Sequence, residues 1–268
     1  MPKIDPIYTT NNCRAAYELQ WSVSLFYRAS ISNEQWLAEL TGTVERDGVR
    51  ILNHRFRSPE VSQFLVSTTP RVSPSQVVRS LKGRLQHILR HAHPRAFHRN
   101  YFVRSVGAIK RNIIESYVAT QVAHHRMADP AVQKRLRRYQ VQDPNVDLSR
   151  IIYSGHGQYL CNLHLVLVHQ DRWMEIRHEV LDRVRSTIVK AARKRGHRLS
   201  RAGIFTDHVH LALGFAITQS PEEVALCYLN NLAYAQGMRA IYQPGYYVRT
   251  FGEYDLGAIT QTEIQCQS

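Results

Sequence analysis

The sequence predicts an α+β fold, a small sandwich of sheet and helices that the chain contains twice. Three observations carry this reading. Apolar or alternating strand patterns take turns with amphipathic helix patterns along the chain. No strand is followed by a glycine-rich nucleotide loop, which disfavours a doubly wound parallel sheet. The second half also repeats the order, and several residues, of the first.

The repeat is legible residue by residue. VSPSQVVRSLKGRLQ from Val72 aligns with QSPEEVALCYLNNLA from Gln219, so that Ser73-Pro74 meets Ser220-Pro221. The same offset carries Val61 onto His208 and Ser67 onto Gly214. Further on, YFVRSVG (Tyr101 to Gly107) matches YYVRTFG (Tyr246 to Gly252). The chain is therefore divided into a first copy at 1–125, a linker at 126–150 and a second copy at 151–268.

Each copy opens on a strand, LQWSVSLFY or YLCNLHLVLV. A helix follows, NEQWLAELTGTV or RWMEIRHEVLDRVRSTIVKAARKR, and then the central strand, QFLVS or HVHLALG. Ser-Pro starts the next helix, serine as N-cap and proline in the first turn. A Tyr-aromatic-Val-Arg strand and a glycine turn close the copy. In the linker, Asp129-Pro130 and Asp143-Pro144 mark helix boundaries, with a short helix expected across QKRLRRYQ.

A net charge of +14 over 268 residues favours a polyanionic partner, nucleic acid ahead of an anionic membrane surface. Cys13, Cys161, Cys227 and Cys266 are scattered without thiolate zinc spacing and read as free thiols of a reducing compartment. No signal-like segment opens the chain, and no apolar run approaches the ~18 residues of a membrane span. A cytoplasmic, nucleoid-associated protein is expected.

Chemistry concentrates at TDHVHLAL, Thr206 to Leu213. Strand alternation puts His208 and His210 on one side, where two imidazoles can converge on a divalent cation, with Asp207 placed to orient a ring. Two half-buried histidines with satisfied hydrogen bonds would give the same pattern. The helix AIKRNIIESYVATQVAHH carries an apolar stripe of Ile114, Val118 and Val122, and stacks Tyr117 and Gln121 four residues apart. A phenol and an amide so placed can meet one metal-bound phosphate; a tyrosine at the edge of the core is the plain alternative. In the alignment Tyr117 and Gln121 fall on Thr262 and Cys266, while His208 and His210 fall on Val61 and Gln63. Each copy lacks what the other keeps.

These residues resemble the single-tyrosine HUH transposases, including the REP-associated tyrosine transposases. The matching positions are His208-Val209-His210, Lys82-Gly83, Tyr101-Phe102-Val103 with Gly107, and Tyr117 with Gln121. The resemblance implies two ferredoxin- or RRM-like domains, with antiparallel sheets flanked by helices and joined as an intramolecular pseudo-dimer. It implies one composite site, with Tyr117 as nucleophile and His208, His210 and Gln121 holding Mg²⁺ or Mn²⁺. The activity implied is nicking and strand transfer on single-stranded, hairpin-containing DNA through a 5′-phosphotyrosine, by a chain acting as a monomer. A catalytically inactive single-strand or hairpin binder descended from such an enzyme is the alternative, and a metal-dependent hydrolase of another class is a third reading. Arg79, Lys82, Arg84, Arg104 and Arg249, with the basic KAARKRGHRLSR segment, are the candidate nucleic-acid contacts.

Overall fold

The structure is a computed structural model that describes residues 5–31, 33–124 and 129–253. In chain order its elements are β1 (Arg14–Glu18), β2 (Gln20–Tyr27), α1 (Leu37–Val44), β3 (Val49–Ser58), β4 (Val61–Thr68), α2 (Pro74–Leu89), β5 (Phe97–Val106), α3 (Arg111–His124), α4 (Pro130–Leu136), β6 (Val141–Gln142), β7 (Ile152–Ser154), β8 (Gly157–Leu160), β9 (Asn162–Val168), α5 (His178–Arg195), β10 (Arg198–Ile204), β11 (His208–Gly214), α6 (Pro221–Ala235) and β12 (Gly245–Thr250). They form two six-stranded sheets, ordered β3-β4-β2-β5-β8-β7 and β1-β12-β9-β11-β10-β6. The fold is α+β, with each sheet flanked by helices.

Period-two alternation decides what each face meets. Trp21, Val23 and Leu25 on β2, with Phe64 and Val66 on β4, are buried in the main core together with Val77, Leu81 and Leu85 of α2. Leu163, Leu165 and Leu167 on β9 join the same core with Val209, Leu211, Leu213 and residues of α5 and α6. The alternate residues, Ser22, Ser24 and Gln63 in one sheet and His164, His208 and His210 in the other, project from the second face. Both Ser-Pro helices begin as expected: Ser73 and Ser220 cap Gln76 and Glu223 in reciprocal capping boxes.

The two sheets exchange their edges. β1 continues almost without a break into β2, yet it pairs in parallel with β12 of the other sheet. β8 continues into β9 and pairs in parallel with β5. The sheets are thus mixed rather than purely antiparallel, because a strand passing from one sheet to the other arrives alongside a strand running its own way. At the crossing, the Ser105 hydroxyl donates to the Phe251 carbonyl at 2.9 Å and accepts from the Asn162 N–H at 3.0 Å. Thr250 repeats this, donating to the Val106 carbonyl at 2.7 Å and accepting from the Gln20 N–H at 2.8 Å. A Cβ on Gly107 would lie 2.5 Å from the Thr250 oxygen, and one on Gly252 would lie 2.5 Å from the Ser105 oxygen. The [ST]-x-G of the repeated turn is therefore the seam of a pseudo-twofold.

Some elements differ from the sequence reading. The first helix of each half is shorter, Leu37–Val44 and His178–Arg195, and in the second half Asp171 and Arg172 take positive φ ahead of it. The linker helix starts at Pro130, capped by Asp129, rather than at Gln133. Val141–Gln142 then adds a strand to the edge of β10, so this stretch is part of a sheet and not only a connection. Among the described residues, no helix is long and apolar enough to cross a membrane.

Candidate active site

α3 emerges from the first half and lies on the sheet of the second. Ile114 and Val118 are buried with Leu148, Ala212 and Phe251. Gly203 on β10 lets the helix approach, since a Cβ there would stand 3.3 Å from a Val118 methyl. Polar contacts fix the position. The Ser200 hydroxyl donates to Glu115, which also pairs with Arg111 at 2.9 Å, and Gln133 Nε2 donates to the Val122 carbonyl at 2.7 Å.

This docking brings the four residues singled out in the sequence together. Gln121, only 3% exposed, sets its amide nitrogen 2.6 Å from Tyr117 Oη and 3.3 Å from His210 Nε2. The Tyr117 ring stands 5.8 Å from that of His210, edge to face, and Tyr117 is half-exposed. His208 and His210 lie with ring centroids 4.9 Å apart. Nδ1 of His208 is 2.6 Å from Asp207 Oδ1, whose other oxygen meets Arg172 at 3.2 Å. A carboxylate only accepts, so His208 carries a proton on Nδ1, and in the neutral ring the lone pair is on Nε2.

A third histidine, missed in the sequence, completes the cluster. His164 on β9 places Nε2 2.9 Å from His210 Nδ1, the two rings stacked at 5.2 Å. The Gln121 amide N–H makes His210 Nε2 an acceptor, so His210 donates from Nδ1 to His164. Burial, with Arg249 beside it, pushes the pKa of His164 down to about 4 and holds it neutral. Its one signal was alternation: in NLHLVLV it points to the face opposite the leucines, but a lone histidine on a strand is ordinary.

The donor set suits a divalent cation. Among the described residues no three His, Cys, Asp or Glu side chains form a ready metal group. Gln121 Oε1, however, is buried without a hydrogen-bond partner, and both histidines have Nδ1 committed to hydrogen bonds. A half-turn of the amide about Cγ–Cδ exchanges its nitrogen and oxygen, presenting the oxygen where Nε2 of His210 points.

The family model described as transposase IS200 like matches residues 24–121 and again 157–261. The chain belongs to the IS200-like transposase family. Its tandem organisation follows from the two matches. A candidate transposase of Deinococcus radiodurans is 19% identical over 40% of this chain and 92% of its own, with a TM-score of 0.31. A REP-associated tyrosine transposase bound to a REP hairpin is 13% identical over 39% of this chain and 61% of its own, also at TM-score 0.31. No curated protein matches the chain.

The remaining positions of this IS200-like chain divide unevenly. On the first-half sheet, Val61 and Gln63 stand where the second has histidines, and Ser22 holds the register position of His164. Gln63 donates to Ser22 at 2.8 Å and accepts from Arg57 Nε at 2.7 Å, so a guanidinium is hydrogen-bonded at the counterpart of the His210 position. Thr262 and Cys266 lie outside the described residues. Of the candidate nucleic-acid contacts, Arg249 is the ladder partner of His164 and pairs with Glu18 at 3.1 Å. Arg104 occupies the equivalent place opposite Ser22. Arg79, Lys82 and Arg84 are on α2, whose sheet face is opposite the one bearing Gln63. Arg84 pairs with Asp47 at 3.0 Å. The Lys82 ammonium donates to the Arg99 carbonyl at 3.0 Å, and burial, with Arg28 nearby, lowers its pKa to about 8.

Proposed function

We propose that this chain nicks single-stranded DNA and transfers the strand through a 5′-phosphotyrosine at one composite site. The observation that carries the proposal is the Gln121 amide, which reaches both the Tyr117 phenol and His210 Nε2. His208, His210 and Gln121 would hold Mg²⁺ or Mn²⁺, which when bound polarises the scissile phosphate and stabilises charge developing on it. Asp207 and His164 fix which imidazole nitrogen presents a lone pair. Tyr117 gives up its phenolic proton, forms the O–P bond and displaces the 3′ oxygen, which takes a proton to become a 3′-hydroxyl. Reversal with an incoming 3′-hydroxyl rejoins the strand, since the phosphodiester energy is kept in the tyrosine ester. The half-exposed Tyr117 is open to a strand, while the buried amide and imidazoles remain fixed.

The test is incubation with hairpin-bearing single-stranded DNA and Mn²⁺, followed by denaturing electrophoresis. The expected result is a covalent adduct that Tyr117→Phe abolishes and His208→Ala or His210→Ala reduces at least a hundredfold. Wild-type binding without any adduct would instead support the non-catalytic hairpin binder.

A further inference from the structure

Two grooves flank the seam, related by the pseudo-twofold, and they differ in one respect. Asn162 and Arg198 border one; Gln20 and Arg50 hold the equivalent places at the other. Arg104 and Gly252 line the first, Arg249 and Gly107 the second. Residues 147–151 run through the first groove as a strap that turns at Leu148 and Ser149, where the Arg150 N–H donates to the Asp147 carbonyl at 3.4 Å. Asn162 Nδ2 donates to the Leu148 carbonyl at 2.9 Å, and Arg198 donates to the carbonyls of Asp147 at 3.0 Å and Arg150 at 3.2 Å. Leu148 is fully buried beneath α3. The second groove, about 650 Å³ in volume, has no strap among the described residues.

The occupied groove shows what donors placed this way hold: backbone acceptor oxygens, gripped by an amide and a guanidinium. Gln20 and Arg50 offer the same donors in the open groove. Tyr17, 45% exposed, adds an aromatic ring to the lining. Arg249 lines the groove and is the ladder partner of His164, so the groove borders the sheet face that carries the histidines. The carboxylates of Glu18 and Glu45 also line it, Glu18 paired with Arg249. A phosphodiester backbone offers acceptors along its whole length, whereas a peptide would also bring N–H groups. An aromatic platform beside a basic donor is the usual apparatus for single strands.

We propose that the open groove between Tyr17, Gln20, Arg50 and Arg249 seats the single-stranded DNA segment that adjoins the scissile phosphate. A base stacks on Tyr17, and a phosphate accepts from Arg50. The strap narrows the equivalent groove to about 240 Å³, and one strand per chain is expected. This rests on the composite-site reading for its substrate, and its test separates the two.

Binding of a fluorescent hairpin oligonucleotide with a single-stranded flank is measured by anisotropy in the Tyr117→Phe background without divalent ion. Tyr17→Ala is expected to weaken binding about 5- to 100-fold, and Tyr17→Trp to retain it. Arg50→Ala is expected to weaken binding and to reduce the salt slope by about 0.7. Tyr234→Ala, an exposed tyrosine on α6, serves as control and is expected to bind like the parent. Unchanged binding in both groove variants, or equal losses in the control, overturns the groove, as does a parent that binds no single strand. Weakened binding alongside a wild type that forms no adduct overturns the catalytic reading and leaves the groove standing.

Discussion

The amide of Gln121 lies 3.3 Å from Nε2 of His210, joining a helix of the first repeat to the central strand of the second. Sequence places the two residues 89 positions apart. Their meeting follows from the way α3 leaves its own sheet and packs on its neighbour's. The geometry puts the tyrosine of one copy and the histidines of the other within one chain, not between two.

That arrangement predicts failure to complement. A mixture of Tyr117→Phe chains and His210→Ala chains should form no more adduct than either alone, because each chain carries one site and spoils it. In a symmetric dimer with exchanged helices, mixing would restore activity. Denaturing electrophoresis after co-incubation with DNA and Mn²⁺ checks this, and recovery of adduct would contradict the composite site.

His164 is expected to act through His210. Removing it as His164→Ala deprives His210 Nδ1 of its acceptor, and Mn²⁺ affinity should fall about 10- to 100-fold. His164→Asn, which keeps a polar partner at short range, should recover part of the loss. Titration by electron paramagnetic resonance reads the metal directly; equal affinity in His164→Ala and wild type would leave His164 as packing alone.

The seam should be intolerant of small changes. Gly107→Ala and Gly252→Ala each press a methyl against a carbonyl oxygen and should destabilise by about 1–3 kcal/mol. Ser105→Ala leaves the Phe251 carbonyl and the Asn162 N–H without their hydroxyl partner, a loss of about 1–3 kcal/mol. Denaturant melts give these values, and a neutral Gly107→Ala would show that the seam can open.

Acid should weaken the fold before it reaches the carboxylates. His197 is buried beside Tyr228, and burial, with Arg195 adding to it, lowers its pKa from 6.5 to about 4. Between those values the unfolded chain binds a proton that the folded chain refuses. Stability is therefore complete above pH 6.5 and declines as pH falls toward 4, by at most about 1.4 kcal/mol per unit from this residue. His197→Gln should flatten the fall in Tm between pH 7 and 5; an unchanged slope would assign the acid sensitivity elsewhere.

Much of this was legible in the sequence because local chemistry and repetition agreed. Ser73 and Ser220 announced two capped helices, and the shared Tyr-aromatic-Val-Arg turn fixed the alignment. Tyr117 and Gln121 sit four apart on a helix, His208 and His210 two apart on a strand, so each pair declared its own geometry. The exchanged edges were not legible: Arg14–Glu18 reads as the beginning of β2, and only the seam sends it to the other sheet. β3, the basic VRILNHRFRS, was missed because charges occupy its solvent side. His164 was missed because its meaning depends on a neighbour 46 residues away.

The hydrogen bond from Arg57 to Gln63 also bears on history. Restoring a histidine at position 63 would now set it against a fixed positive charge, which repels the very ion it would need to recruit. Reversion would take several coordinated replacements, each without benefit alone. The two copies have thus specialised past the point of exchange. On the composite-site reading, deleting either copy would remove half of that site, and duplication becomes a ratchet that turns one way.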